Sequence, residues 1–145
     1  MISRPNALPA VLLCFGLLFA ACQETEDPAP SNSEREAVQN ALDLYVEGLV
    51  AQDASILPLA SDVLFVSPTG SERKGIDEVA PFLEAQEFNE IRVHQTLIDG
   101  EYGCELTDYY WTEGETVPVA LCLRVVDGEI TEIRPYFDTA LLDGN

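Results

Sequence analysis

Residues 91–138 read IRVHQTLIDG EYGCELTDYY WTEGETVPVA LCLRVVDGEI TEIRPYFD, and this stretch decides the fold. Four runs rich in β-branched and aromatic residues, Ile91–Ile98, Tyr102–Trp111, Val117–Val126 and Glu129–Asp138, are separated by turn chemistry. Asp99-Gly100 and Asp127-Gly128 are two-residue hairpin signals of the primed type, and Thr112-Glu113-Gly114 suits a three-residue hairpin with Gly in the left-handed position. Val117, Val119, Leu121, Leu123 and Val125 repeat with period two, so one face of that strand is apolar. Three hairpins in series predict a strongly curved antiparallel sheet.

The hairpins also predict register. A loop at 112–114 pairs Trp111 with Glu115, and counting back sets Cys104 opposite Cys122, close enough for a disulfide. Across Asp127-Gly128, Val126 faces Glu129. That puts Leu121 opposite Arg134 and Val117 opposite Asp138, so Arg134 and Asp138 share the apolar, inward face. A single bulge would reverse their facing.

Helices precede the sheet. Ser33-Glu34-Arg35-Glu36 has the form of a capping box, followed by Val38, Ala41, Leu42, Tyr45, Val46 and Leu49 at helical spacing. Asp53 caps a short helix through Leu57, with Pro58 stopping it. Val63–Ser67 reads as a strand closed by Pro68-Thr69-Gly70, and Ile76–Gln86 as a helix bent at Pro81. The expectation is one α+β domain over residues 34–140, a cone in which about three helices cover the concave face of the sheet, with 141–145 as a tail.

The first 21 residues differ in kind. Arg4 is followed by an apolar run from Ala7 to Ala21, too short for a comfortable bilayer span, which needs about 20 apolar residues. Charge, short apolar run and small residues describe a secretory signal peptide. Phe19-Ala20-Ala21-Cys22 looks like a bacterial lipobox, with Phe19 where the motif usually has Leu, so Cys22 is the expected lipidation site. Residues 22–33 then form a polar, Pro-containing tether. Gln23 after the cysteine fits the periplasmic side of the outer membrane by the enteric sorting rule. The whole chain has 26 acids, 7 bases and a formal charge of -19. That balance excludes a phosphate backbone as partner and a basic helix on an anionic membrane, leaving the lipid as the only membrane attachment. Export supplies an oxidising compartment for Cys104 and Cys122.

The order of elements resembles the nuclear transport factor two-like superfamily, nearest its SnoaL-like branch. The resemblance covers about residues 34 to 138. It rests on Tyr45-Val46-x-x-Leu49, Ser67-Pro68-Thr69-Gly70-Ser71, Lys74-Gly75-Ile76, and the run from Asp127-Gly128-Glu129-Ile130 to Pro135-Tyr136-Phe137-Asp138. It implies a pocket between helices and sheet, with Phe65, Ser67, Tyr109, Trp111, Leu121 and Arg134 as candidate walls. It does not imply one activity. Against ketosteroid isomerase, the helix-one Tyr falls at Tyr45, but the base falls at Ser67 and the neutral acid near Leu121. Against limonene epoxide hydrolase, the final-strand acid resembles Asp138, while the Arg-x-Asp pair falls near Val119 and Leu121. SnoaL-like cyclases carry a general base in the stretch that ends at Asp138.

Two readings follow. The first is a non-catalytic, lipid-anchored module binding a small apolar or amphipathic molecule. The second is an isomerase, cyclase or hydrolase with Asp138 as base and Tyr45 as hydrogen-bond donor. No cofactor is implied, and the single histidine, His94, cannot build a metal site alone. Tyr109-Tyr110-Trp111 puts rings on both faces of a strand end, one at least toward the cone mouth. A homodimer through the exposed sheet face is compatible with either reading.

Overall fold

The computed structural model describes residues 31–111 and 116–141. Helix α1, Asn32–Ala51, starts at a capping box built by Ser31 and Glu34. Ser31 Oγ accepts from the Glu34 amide at 3.2 Å, and the Ser31 amide donates to Glu34 Oε2 at 2.7 Å. The box therefore lies two residues before Ser33 and Glu36, and Asn32 and Ser33 belong to the helix rather than to the tether. Val38, Ala41, Leu42, Tyr45 and Leu49 form its buried face, which lies across three strands of the sheet. Gly103 is the seat of this helix: a Cβ there would come within 2.6 Å of Val38 Cγ1 and 2.8 Å of Leu42 Cδ1.

Two α-helices are present among the described residues, not about three. The segment capped by Asp53 is a single 3₁₀ turn, Ala54–Ile56, with Asp53 Oδ1 accepting from the Ser55 amide at 3.0 Å. Pro58 follows too closely for a longer helix to form. Helix α2, Ile76–Glu84, contains Pro81 and buries Val79 and Leu83.

The strands are β1 Leu59–Val66, β2 Glu72–Lys74, β3 Phe88–Asp99, β4 Tyr102–Trp111, β5 Thr116–Val126 and β6 Glu129–Tyr136. They form one open, six-stranded sheet in the order β2-β1-β6-β5-β4-β3. It is mixed rather than wholly antiparallel, because β1 pairs with β6 in parallel. β1 starts earlier than Val63; its alternation breaks at the exposed Ser61-Asp62, where its register to β6 shifts. Asp127 and Gly128 both have positive φ, as a primed two-residue turn requires. The β3–β4 turn is centred one residue later than expected, on Gly100-Glu101, since Asp99 pairs with Tyr102. The loop expected at Thr112-Glu113-Gly114 lies outside the described residues.

Register between β4 and β5 is as expected: Cys104 faces Cys122, their Cα atoms 4.2 Å apart, and the two are disulfide bonded. The stripe Val117, Val119, Leu121, Leu123 and Val125 is buried throughout. Register between β5 and β6 is not as expected. Val126 pairs with Glu129 and Val125 with Ile130, but Arg124 pairs with Glu132, so Thr131 is an extra residue. Beyond this bulge every residue of β6 changes face. Leu121 therefore faces Pro135, and Arg134 faces Cys122.

Candidate functional site

The end of the cone where β4 and β6 finish and β5 begins holds a cavity of about 190 Å³. Each element delivers side chains to it by its own periodicity. Helix α1 brings Tyr45 and Leu49 one turn apart on its buried face. β4 brings Tyr109 and Trp111, two residues apart and so on one face. β5 brings Val117 and Val119, and the chain around the end of β6 brings Pro135 and Phe137. Phe65, Ser67 and Pro68 come from β1 and its turn, Phe82, Leu83 and Gln86 from α2 and beyond, and Phe88 from β3.

Aromatic rings frame the cavity. Phe88 packs edge-on to Tyr109, with centroids 4.9 Å apart, and against Trp111 at 4.4 Å. Phe65 and Phe82 pack at 4.8 Å. Two polar atoms in this apolar wall, the Tyr109 hydroxyl and Trp111 Nε1, are buried with no hydrogen-bond partner among the described residues. Burial of a polar group without a partner costs free energy, so these two atoms are poised to bond whatever enters.

Burial pushes the Tyr45 phenol well above its ordinary value of 10. Burial does the same to Tyr109, and the nearby Tyr45 and Glu105 add to it. Both phenols are therefore neutral near pH 7 and act as hydrogen-bonding groups rather than as bases.

Of the residues expected at the site, Tyr45, Phe65, Ser67, Tyr109 and Trp111 do line the cavity. Leu121 does not: it is fully buried in the core on the same strand face as Val117 and Val119. Arg134 does not either. The bulge at Thr131 turns it to the outer face, where its Nε pairs with Glu132 Oε1. Asp138 lies beyond the end of β6 and is exposed. Its Oδ1 accepts from the Ala140 amide at 3.0 Å, the local turn that a strand-end Asp favours. Asp138 therefore stands in solvent and is not among the walls of the cavity. His94 is exposed, with Nε2 2.7 Å from Asp108 Oδ2 and away from the cavity.

One group escaped the sequence reading. Glu105 is 2% exposed on the inner face of β4. Thr96 Oγ1 donates to its Oε1 at 3.3 Å, and Oε2 has no partner among the described residues. Burial raises its pKa and Asp43 adds to this, while the Thr96 hydrogen bond opposes. The signal was present: the register that pairs Cys104 with Cys122 also sets Glu105 opposite Leu121, on the buried stripe. Glu105 sits behind Tyr109 and is not among the cavity walls.

No protein-family model matches the sequence, and no curated protein matches it. Solved structures do match its fold. An NTF2-like protein of unknown function from Cytophaga hutchinsonii aligns with TM-score 0.66 and 22% identity, over 73% of this chain and 94% of that one. A protein from Jannaschia sp. CCS1, provisionally named a SnoaL-like polyketide cyclase, aligns with TM-score 0.66 and 18% identity, over 81% and 95%. A protein with a ketosteroid isomerase-like fold from Catenulispora acidiphila, in complex with trimethylamine, aligns with TM-score 0.59 and 17% identity, over 68% and 85%. The helix-and-curved-sheet architecture of this chain is the NTF2-like fold.

Proposed function

We propose that the protein is an exported, lipid-anchored module whose cavity binds a small apolar or amphipathic molecule without transforming it. The observation that carries this reading is the wall chemistry. Rings and aliphatic groups surround two buried donors that lack partners. The walls described include no Asp, Glu, His, Lys, Arg or Cys, so the Tyr45 and Tyr109 phenols and the Ser67 hydroxyl have no base among those walls to take their protons. Trp111 Nε1 can only donate, so the favoured molecule carries an acceptor oxygen on an otherwise apolar body. The Cys104–Cys122 bridge supports an oxidising compartment, in line with export and with lipid on Cys22.

Native mass spectrometry of the protein recovered from its own envelope fraction, with NMR titration of 2-octanone as a neutral probe, tests this. A stoichiometric small-molecule adduct, or saturable shifts confined to residues such as Tyr45, Tyr109 and Val119, is expected. Finding neither would refute the reading.

A homodimer through the outer sheet face is a compatible proposal. Leu97, Leu106 and Tyr136 are exposed there, with Leu106, Ala120 and Tyr136 in one cross-strand row. Sedimentation at micromolar concentration decides it, and a monomer would reject it.

A further inference from the structure

A second cavity, of about 230 Å³, adjoins the first and shares Phe65, Ser67, Pro68, Phe82 and Phe137 with it. Its chemistry is different. The turn after β1 contributes the hydroxyls of Ser67, Thr69 and Ser71, and β2 contributes Arg73. The Arg73 guanidinium carbon lies 4.4 Å from the centroid of the Phe82 ring, which is also a wall of the inner cavity. Stacking on an aromatic face holds a guanidinium at moderate cost and leaves its N–H edge free to bond. Arg92, Arg124 and Arg134 each pair with a glutamate, whereas Arg73, like Arg35 and Lys74, pairs with no carboxylate among the described residues. Of these three cations, Arg73 is the one that lines a cavity joined to the apolar one.

The hydroxyls add a donor. Ser67 Oγ lies 2.9 Å from Thr69 Oγ1 and 2.7 Å from Ser71 Oγ, and it accepts from the Ser71 amide at 3.1 Å. Three hydroxyls carry three protons, and the two contacts between them use two. One O–H remains to point outward. A guanidinium fork and a hydroxyl on one side of an apolar hole suit a planar, two-oxygen anion.

We infer that the outer cavity is a head-group site, and that the bound molecule is an apolar carboxylic acid whose carboxylate is held by Arg73 and the Ser67–Ser71 hydroxyls while its body, with an acceptor oxygen of its own toward Tyr109 and Trp111, fills the inner cavity. This rests on the binding reading above and names its ligand class. Because Arg73 is exposed, the gain belongs at the low end for a charged hydrogen bond, about tenfold in affinity.

The test compares octanoate with octanamide, which has the same shape and no charge, by calorimetry on the mature protein at 0.15 M salt. Wild type is expected to bind octanoate about tenfold more tightly. Arg73→Gln is expected to bring octanoate to the octanamide level and leave octanamide unchanged. Equal binding of the two probes by wild type, or a preference that survives Arg73→Gln, would overturn the head-group assignment and leave the cavity reading standing. Binding of neither probe would overturn both.

Discussion

Replacing Tyr109 by Phe removes a single oxygen from the inner cavity, and the structure gives that change a sign. The ring is 6% exposed and its packing on Phe88, at 4.9 Å, needs no hydroxyl. The hydroxyl itself is buried with no partner among the described residues. A buried polar group left unpaired costs about 1–3 kcal/mol, so its removal should stabilise the ligand-free protein by about 1–2 kcal/mol. At this size each kcal/mol moves the midpoint by about 4 °C, giving a rise of about 4–8 °C in thermal unfolding followed by circular dichroism. The same change should weaken 2-octanone roughly two- to tenfold, the worth of a neutral hydrogen bond. Stability and affinity thus move in opposite directions. A Tyr109→Phe protein that is less stable than wild type would show that the hydroxyl is satisfied within the fold, and the argument from unpaired donors would fail.

Opening the Cys104–Cys122 bridge by paired Ser substitutions releases a loop with a sequence separation of 18. The chain-entropy model puts the loss at about 3 kcal/mol, and a loss below about 1 kcal/mol in urea titrations would contradict it. Glu105 has a folded-state pKa raised above its ordinary 4.5, chiefly by burial. Its contribution is present below pH 4.5 and is lost as pH rises through the folded value, so Glu105→Gln should gain on wild type as pH increases toward 7. A constant difference between the two proteins across that range would reject this account. Radiolabelled palmitate should enter the wild type and not Cys22→Ser, and equal soluble release of both proteins would dismiss the anchor.

Most of the sheet was legible because hairpins carry their register in the turn residues. Asp127-Gly128 and the stripe from Val117 to Val125 settled β5, and a count from the 112–114 loop placed Cys104 against Cys122. The site was legible to the extent that it depends on that register, which is why Tyr109 and Trp111 were found. The facing of Arg134 was misread because the bulge at Thr131 shows only in Ile130 and Ile133 standing three apart, a break in alternation that was not used. The parallel pairing of β1 was illegible for another reason: Leu59–Val66 contains two exposed polar residues in mid-strand, so no period-two pattern announced its length. Glu105 was readable and overlooked, since a charged residue on a predicted inward face contradicts the usual distribution of burial.

The bulge at Thr131 has a consequence for how this cavity could change over generations. Pro135 and Phe137 reach the cavity only because one extra residue precedes them, while Arg134 faces away. A slip of β6 that draws Thr131 into regular pairing opposite Arg124 would rephase the remainder of the strand in a single step. Arg134, Tyr136 and Asp138 would then turn inward, and a greasy cavity floor would become one with a cation, a phenol and a carboxylate. Substitution alone would need several changes to reach the same floor, each made at a separate position. Deleting Thr131 removes the extra residue and keeps Leu121 opposite Pro135, so the deletion variant should bind 2-octanone as wild type does; loss of that binding would show that the phase of β6 depends on the bulge itself. A greasy cavity floor and a charged one are, on this scaffold, one register slip apart.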